Sequence, residues 1–288
     1  MHAADIAGVA WWIWPIALFA VTFVLGIVAV VAGVGGGVLF VPVVAGFFPF
    51  HLDFVRGAGL LLALAGTLAA GPVLLRSGLA NLRLVMPLAL AGSVASTAGA
   101  VVGLSVPADL LQTALGITVI AVALLIWRSR ASDRLGVEDD PLAALLRLKG
   151  RYQDPAHGAH VDWRTHQTPA GLAVFAAIGF LGGVFGLGAG FANVPALNLL
   201  MAAPMKVAVG SSGLIISIIN SAAAWIYINS GAVLPLLVIP SILGVMLGSR
   251  IGARLLHTVP APVVRRLVIA VMLIAGTRAL LRGLGVWT

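Results

Sequence analysis

Gly33-Val34-Gly35-Gly36-Gly37, running directly into Val38-Leu39-Phe40-Val41-Pro42, interrupts a long apolar run. Four glycines in five positions make a poor helix interior, because glycine loses the most backbone freedom on ordering and leaves its peptide groups uncovered. The pattern returns as Gly186-Leu187-Gly188-Ala189-Gly190, followed by Phe191-Ala192-Asn193-Val194-Pro195. Gly33, Gly35, Gly37 and Pro42 each find a partner 153 residues later. In hydrocarbon, broken backbone survives only where protein covers it or where it lines a wet cavity. Paired breaks in corresponding places of two halves point to the binding site of a membrane transporter.

The surrounding composition sets the class. Of 288 residues, 61% are hydrophobic and 9% charged, against about 25% charged in a soluble domain. Mean hydropathy is +1.12. Apolar stretches of roughly 20 residues recur, which predicts an all-α polytopic membrane protein; the short alternating segments of an outer-membrane barrel are missing. The net charge of +8 does not imply nucleic acid as a partner, because the basic residues flank apolar segments, as the positive-inside bias expects. The lipid bilayer is the partner that composition demands, in a multi-pass bacterial inner-membrane protein. The chain has no cysteine, which excludes disulfides and thiolate metal sites. The N-terminus lacks the basic region and cleavage site of a signal peptide, and Trp11, Trp12 and Trp14 read as an interfacial anchor.

The offset between the two breaks extends along both halves. Without gaps, Gly26 aligns with Gly179, Gly57 with Gly210, Ser77-Gly78 with Ser230-Gly231, Pro87 with Pro240, Ser96 with Ser249, Gly99-Ala100 with Gly252-Ala253, and Pro107 with Pro260. Several of these mark backbone geometry, so shared hydrophobicity alone would not align them, and the chain is an internal duplication. Residues 1–127 form the first repeat and 169–288 the second. Residues 128–168 form a polar linker with seven of the 17 basic and six of the nine acidic residues; it is expected in the cytoplasm, with a short surface helix over 142–149. Its His157, His160 and His166 read as a solvated loop, since their spacing matches no familiar metal site. No cofactor is expected.

Four full spans per half would give parallel repeats and leave Lys206, Arg250, Arg254, Arg265 and Arg266 outside, against the charge bias. If the glycine-broken segments are re-entrant hairpins, each half has three full spans, the second half inverts, and those residues move inside. The fifth apolar segment, residues 171–201, is about 31 residues or roughly 46 Å of helix, more than one span requires. The inverted arrangement is therefore expected.

The duplicated glycine segment with its downstream proline resembles the TauE/SafE sulfite exporter family of bacterial membrane proteins. So does the run Gly244-x3-Gly248-Ser249-Arg250-x-Gly252-Ala253-Arg254 before Val259-Pro260. The resemblance spans about residues 16–127 and 171–283. It implies a secondary transporter of small sulfur-containing anions such as sulfite, sulfonates or thiosulfate.

The chemistry of the breaks agrees with an anion. A broken helix offers free backbone N–H groups and the positive end of a dipole, and glycine lets them approach a ligand closely. The expected substrate site therefore comprises Gly33, Gly35, Gly36 and Gly37 at the first break, Gly186, Gly188, Ala189 and Gly190 at the second, and Asn193 just beyond. Side-chain donors are expected from Ser217 and Asn220, which share a helical face with Ser221, and from Thr67, which occupies the position equivalent to Asn220. The plainer reading of these glycines is close helix packing, and of the polar residues, bonds to neighbouring helices. Arg56 reads as an interfacial arginine with its head in water. No intramembrane catalytic set is visible, so an enzyme is not expected. The expected mechanism is alternating access. A coupled proton or cation is allowed, although no membrane-embedded carboxylate stands out to carry it. The competing readings are a passive anion channel and a membrane scaffold.

Overall fold

The computed structural model describes residues 12–31, 36–76, 80–128, 140–154, 159–188, 190–255 and 261–286. It is almost wholly helical: α1 Ile13–Val31, α2 Gly36–Phe47, α3 Leu52–Arg76, α4 Leu82–Ser105, α5 Ala108–Arg128, α6 Pro141–Leu146, α7 Thr168–Phe185, α8 Gly190–Pro195 with a π-helical continuation Ala196–Leu200, α9 Met205–Asn229, α10 Pro235–Leu255 and α11 Ala261–Gly283. Six of these, α3, α4, α5, α7, α9 and α10, are long and apolar enough to cross a membrane. Four arginines, Arg265, Arg266, Arg278 and Arg282, set α11 apart from those six in composition.

Both broken segments return to where they began. Trp14 at the start of α1 packs its ring 5.9 Å from Phe48 and 5.9 Å from Phe50, just past α2. The backbone N–H of His166, ahead of α7, donates to the carbonyl of Met201 at 3.1 Å. Thus 13–48 and 166–201 are two helical hairpins whose ends meet; the second breaks at the left-handed Gly186 and Gly188, while Gly33 and Gly35 of the first lie outside the described residues.

The halves are intertwined. α1 packs chiefly along α10, and α4 along α7, each pair running parallel. Gly244, Gly248 and Gly252 of α10 meet Phe19, Phe23 and Ile27 of α1, while Gly92, Gly99 and Gly103 of α4 meet Phe175, Phe180 and Val184 of α7. Small residues allow such backbone contact in lipid, where apolar burial alone does not drive helices together. Duplicated helices meet head to tail. In α3 and α9, Gly57 lies beside Tyr227 while Thr67 meets Ser217. In α5 and α11, Thr113 lies beside Gly283 and Ile120 beside Gly276.

The linker is more ordered than a solvated loop. Its helix, α6, is shorter than 142–149, ending at a left-handed Arg147. It is followed by an antiparallel hairpin, β1 Lys149–Asp154 and β2 Ala159–Arg164, with Gly150 opposite Trp163. A side chain at Gly150 would meet the Trp163 ring at 2.9 Å and the Asn81 amide at 2.8 Å, so the glycine leaves room for the Trp163 ring, which is buried. His157 lies outside the described residues; His160 is in β2, and His166 closes the second hairpin.

Asp140 ties the linker to α7. One carboxylate oxygen caps α6 by accepting from Ala143 N at 2.6 Å, and the other accepts from Thr168 N at the start of α7. Burial pushes this carboxyl up, but the Thr168 and Ala143 N–H bonds outweigh it and hold the group below its ordinary 3.8. A depressed folded value means that the stabilisation is present above the unfolded value and is lost as pH falls through the folded one. Amide exchange at 141–146 and 168–171, corrected for intrinsic rates, should stay slow at pH 7 and accelerate below about pH 4. Asp140→Ala should produce the same loss at pH 7, worth about 0.5–2 kcal/mol locally as for other lost caps.

Candidate functional site

The two breaks converge on the crossing of α3 and α9. Thr67 and Ser217 face each other there, their hydroxyls 2.8 Å apart, and Thr67 donates on to Ala63 O at 2.9 Å. One turn from Ser217, Asn220 is wholly buried, and neither its amide nitrogen nor its oxygen has a hydrogen-bond partner among the described residues. Thr67 and Asn220 occupy equivalent places, each the sixteenth of 25 residues in its helix.

The second break presses on this crossing. Gly188 has φ +69, and a Cβ there would sit 2.9 Å from Ala63 Cβ and 3.0 Å from Asn220 Nδ2. Only glycine takes that backbone conformation routinely, and only glycine leaves the Asn220 amide facing bare main chain. The first break arrives from the other side. A Cβ on Gly37, in the first turn of α2, would lie 2.7 Å from Gly59 O and 2.8 Å from Leu187 O. The first N–H groups of α2 have no acceptor within the helix, and the dipole places positive potential at that end. The Asn220 amide itself lies buried at mid-span, where an amide left unpaired costs about 1–3 kcal/mol. That chemistry suits an oxygen-bearing anion without a full cationic charge in the site, which would be costly at this depth.

The sequence-predicted residues fall into groups. Gly37, Gly188, Thr67, Ser217 and Asn220 come together as described. Gly36 starts α2, against the Val245 side chain. Gly186 caps the C-terminus of α7 at φ +66. Gly190 and Asn193 are buried in α8 after the break, and neither amide atom of Asn193 has a hydrogen-bond partner among the described residues. Gly33, Gly35 and Ala189 lie outside the described residues. Asn198 donates to Ala203 O, and the exposed Ser221 bonds Ile218 O in its own helix, so both serve the local backbone.

Arg56 corrects the sequence reading. Its head is not in water: the side chain is wholly buried. Nη1 donates to Val184 O at 2.8 Å and Gly103 O at 3.0 Å, at the C-terminal ends of α7 and α4, while Nη2 pairs with Asp53. Tyr227, at the far end of α9, donates its hydroxyl to Gly183 O at 3.0 Å. Arg278 and Arg282 act alike on α2, donating to Gly46 O at 2.6 Å and Ala45 O at 2.8 Å. A cation at a helix C-terminus opposes the negative end of the dipole and satisfies carbonyls that lipid cannot. Spacing along the chain gives no sign of this, because the acceptor on α7 lies 128 residues from Arg56.

This architecture agrees with comparison to known proteins. The profile of the sulfite exporter TauE/SafE family matches residues 18–279. A probable membrane transporter protein, YunE, of Bacillus subtilis (strain 168) is 28% identical over 153 residues, 50% of this chain and 56% of that protein. A probable membrane transporter protein, ORF9, of Sinorhizobium sp. is 27% identical over 273 residues, 91% of each. The chain thus spans little more than half the length of the first relative and nearly all of the second. No solved structure matches it significantly. With paired broken hairpins in a multi-pass helical fold and a profile match running through both halves, the chain belongs to the TauE/SafE family of bacterial membrane transporters.

Proposed function

We propose that the chain is a secondary transporter of small sulfur-containing oxyanions, of the sulfite, thiosulfate or sulfonate class, working by alternating access around the two hairpins. The observation that carries this reading is the wholly buried amide of Asn220, without a hydrogen-bond partner among the described residues, against the left-handed Gly188. The head-to-tail meeting of α3 with α9 and of α5 with α11 supports inverted repeats, the architecture in which a central site can be exposed to either side in turn. Arg83 and Lys206 belong to the end of the molecule carrying the linker, where Asn81 N donates to Ser211 Oγ at 3.2 Å. That grouping favours a cytoplasmic linker.

Flux into proteoliposomes tests the reading with sulfite, thiosulfate, a small sulfonate, sulfate and chloride. Saturable uptake of a sulfur oxyanion, competed by its congeners, is expected. Asn220→Ala removes a hydrogen bond to a charged ligand, worth about 1.5–3 kcal/mol, so the half-saturation concentration should rise roughly 10- to 100-fold. Equal, unsaturable leakage of all five anions would establish a channel instead. Absence of any flux from folded protein would defeat the transport reading. Imposed proton and sodium gradients in the same vesicles assign the coupling ion.

A further inference from the structure

The duplication makes the halves comparable residue by residue, and at one place they differ sharply. At the second hairpin, the α7 carbonyls before the break are held by Arg56 from α3 and Tyr227 from α9. The two holding groups are themselves in contact, with the guanidinium carbon 5.5 Å from the Tyr227 ring centre. The break is also seated on the same turn of α3: a Cβ at Gly186 would lie 2.5 Å from Arg56 Cα and 2.7 Å from its carbonyl carbon. At the 153-residue offset, the positions equivalent to Arg56, Tyr227 and Asp53 are Val209, Leu74 and Lys206, so this set of groups has no counterpart in the other repeat and the acid is replaced by a base.

Among the described residues, the fastenings also differ in kind. The first hairpin is held at its base, where Gln112, Arg278 and Arg282 all donate to the carbonyl end of α2. Its returning helix is a continuous 12-residue α-helix. The second hairpin returns through a six-residue helix that widens into a π-helix over Ala196–Leu200. Such wide turns are uncommon and concentrate at functional places.

We propose that Arg56 and Tyr227 form a latch on the tip of the second hairpin, and that this hairpin, rather than the first, moves when the site opens. While latched, the tip holds Gly188 against Asn220 and Ala63. When Arg56 and Tyr227 let go of the α7 carbonyls, the Gly186–Gly188 segment leaves the α3–α9 crossing and uncovers the donors beneath it. Arg56 is thus a positioning residue. The Asp53 carboxylate beside it, with His51 at 3.5 Å, holds the guanidinium in place from the α3 side. The part of the proposal that concerns anion affinity rests on the transport reading above; the part that concerns the tip does not.

The chain has no cysteine, so one introduced thiol reports cleanly. Leu187 lies in the tip and Val38 in α2, both wholly buried. In folded protein, Leu187→Cys should react slowly with a water-soluble maleimide. Adding Arg56→Met should accelerate labelling at least tenfold and adding Tyr227→Phe several-fold, with Arg56→Lys in between. Val38→Cys should stay slow in all three backgrounds. The half-saturation for the transported anion should rise at least tenfold in Arg56→Met and be partly restored in Arg56→Lys. Unchanged labelling of Leu187→Cys in folded Arg56→Met or Tyr227→Phe protein overturns the latch. So does equal acceleration at Val38→Cys, which would mean general loosening. If Arg56→Met does not fold, Tyr227→Phe, which removes one hydroxyl, decides alone. A wild-type protein that carries none of the tested anions would defeat the transport reading, while the labelling result would still judge the latch.

Discussion

Gly188→Val is expected to reduce oxyanion uptake at least about 100-fold while the protein still inserts and elutes as a folded species. Three effects act together. The residue sits at φ +69, where an L side chain costs about 1–2 kcal/mol and a β-branched one more. The new Cβ meets Ala63 Cβ at 2.9 Å and Asn220 Nδ2 at 3.0 Å, so either the tip lifts or the amide turns away. Either movement spoils the alignment of two donors with the bound anion. Each such bond to a charged ligand is worth about 1.5–3 kcal/mol, and a loss of about 3–6 kcal/mol is a factor of 100 or more in affinity. Gly231→Ala supplies the control. Gly231 has φ +71, but a Cβ there would meet nothing within 4 Å, so its replacement adds backbone strain without crowding. It should lower stability by about 1 kcal/mol and leave uptake near wild type. If both substitutions impair uptake equally, the crowding against Asn220 is not what matters, and Gly188 is only a turn.

Gly179→Leu is expected to prevent stable folding, the largest effect on stability that the packing implies. Gly179 of α7 faces Gly92 of α4, and a Cβ would lie 2.8 Å from the Gly92 Cα and closer still to its carbonyl oxygen. Neighbouring contacts repeat this: Gly183 meets the Ser96 backbone and Gly99 the Phe180 backbone. Because the obstructing atoms are main chain, no rotamer change relieves the clash, and the helices must separate. Overpacking costs about 1–3 kcal/mol even where side chains can yield, and separating this seam also loosens the contacts on either side. Gly179→Ala should lower the melting temperature by several degrees in detergent, given about 2–4 °C per kcal/mol for a chain approaching this size. The leucine variant should yield no monodisperse protein. A Gly179→Leu protein that melts within a degree or two of wild type would show that the α4–α7 seam is looser than its glycines imply.

These two glycines also show what the sequence made legible. Both could be singled out because duplication aligned them with Gly35 and Gly26, and a repeated glycine marks geometry where a repeated leucine marks only hydrophobicity. The hairpins followed from the length of the apolar runs and from the bias of basic residues. Asn220 stood out as a carboxamide in the middle of an apolar span. Other features required the folded chain. Arg56 looked interfacial because an apolar run begins beside it; its acceptors on α4 and α7 are distant in sequence, and local pattern says nothing of them. The β-hairpin in the linker did leave a trace, since His160-Val161-Asp162-Trp163-Arg164 alternates polar and apolar residues. The charge density of that stretch masked the alternation, and only a glycine opposite Trp163 made burial of the ring workable. Ser221 shares a helical face with Asn220, yet it satisfies nearby backbone, the commoner use of such groups within a helix.

The exchange of partners between halves bears on how the protein comes to be made. α1 is synthesised before the rest of its repeat, yet its main neighbour is α10, which begins about 200 residues later. At about 5–20 residues per second of synthesis, the first hairpin waits roughly 10–40 s with the Phe19, Phe23 and Ile27 face of α1 unmatched. α7, by contrast, finds α4 already in place. The first half therefore cannot finish folding before the second is inserted, and a ribosome that stops at the linker leaves a chain in which α1 still lacks its main neighbour.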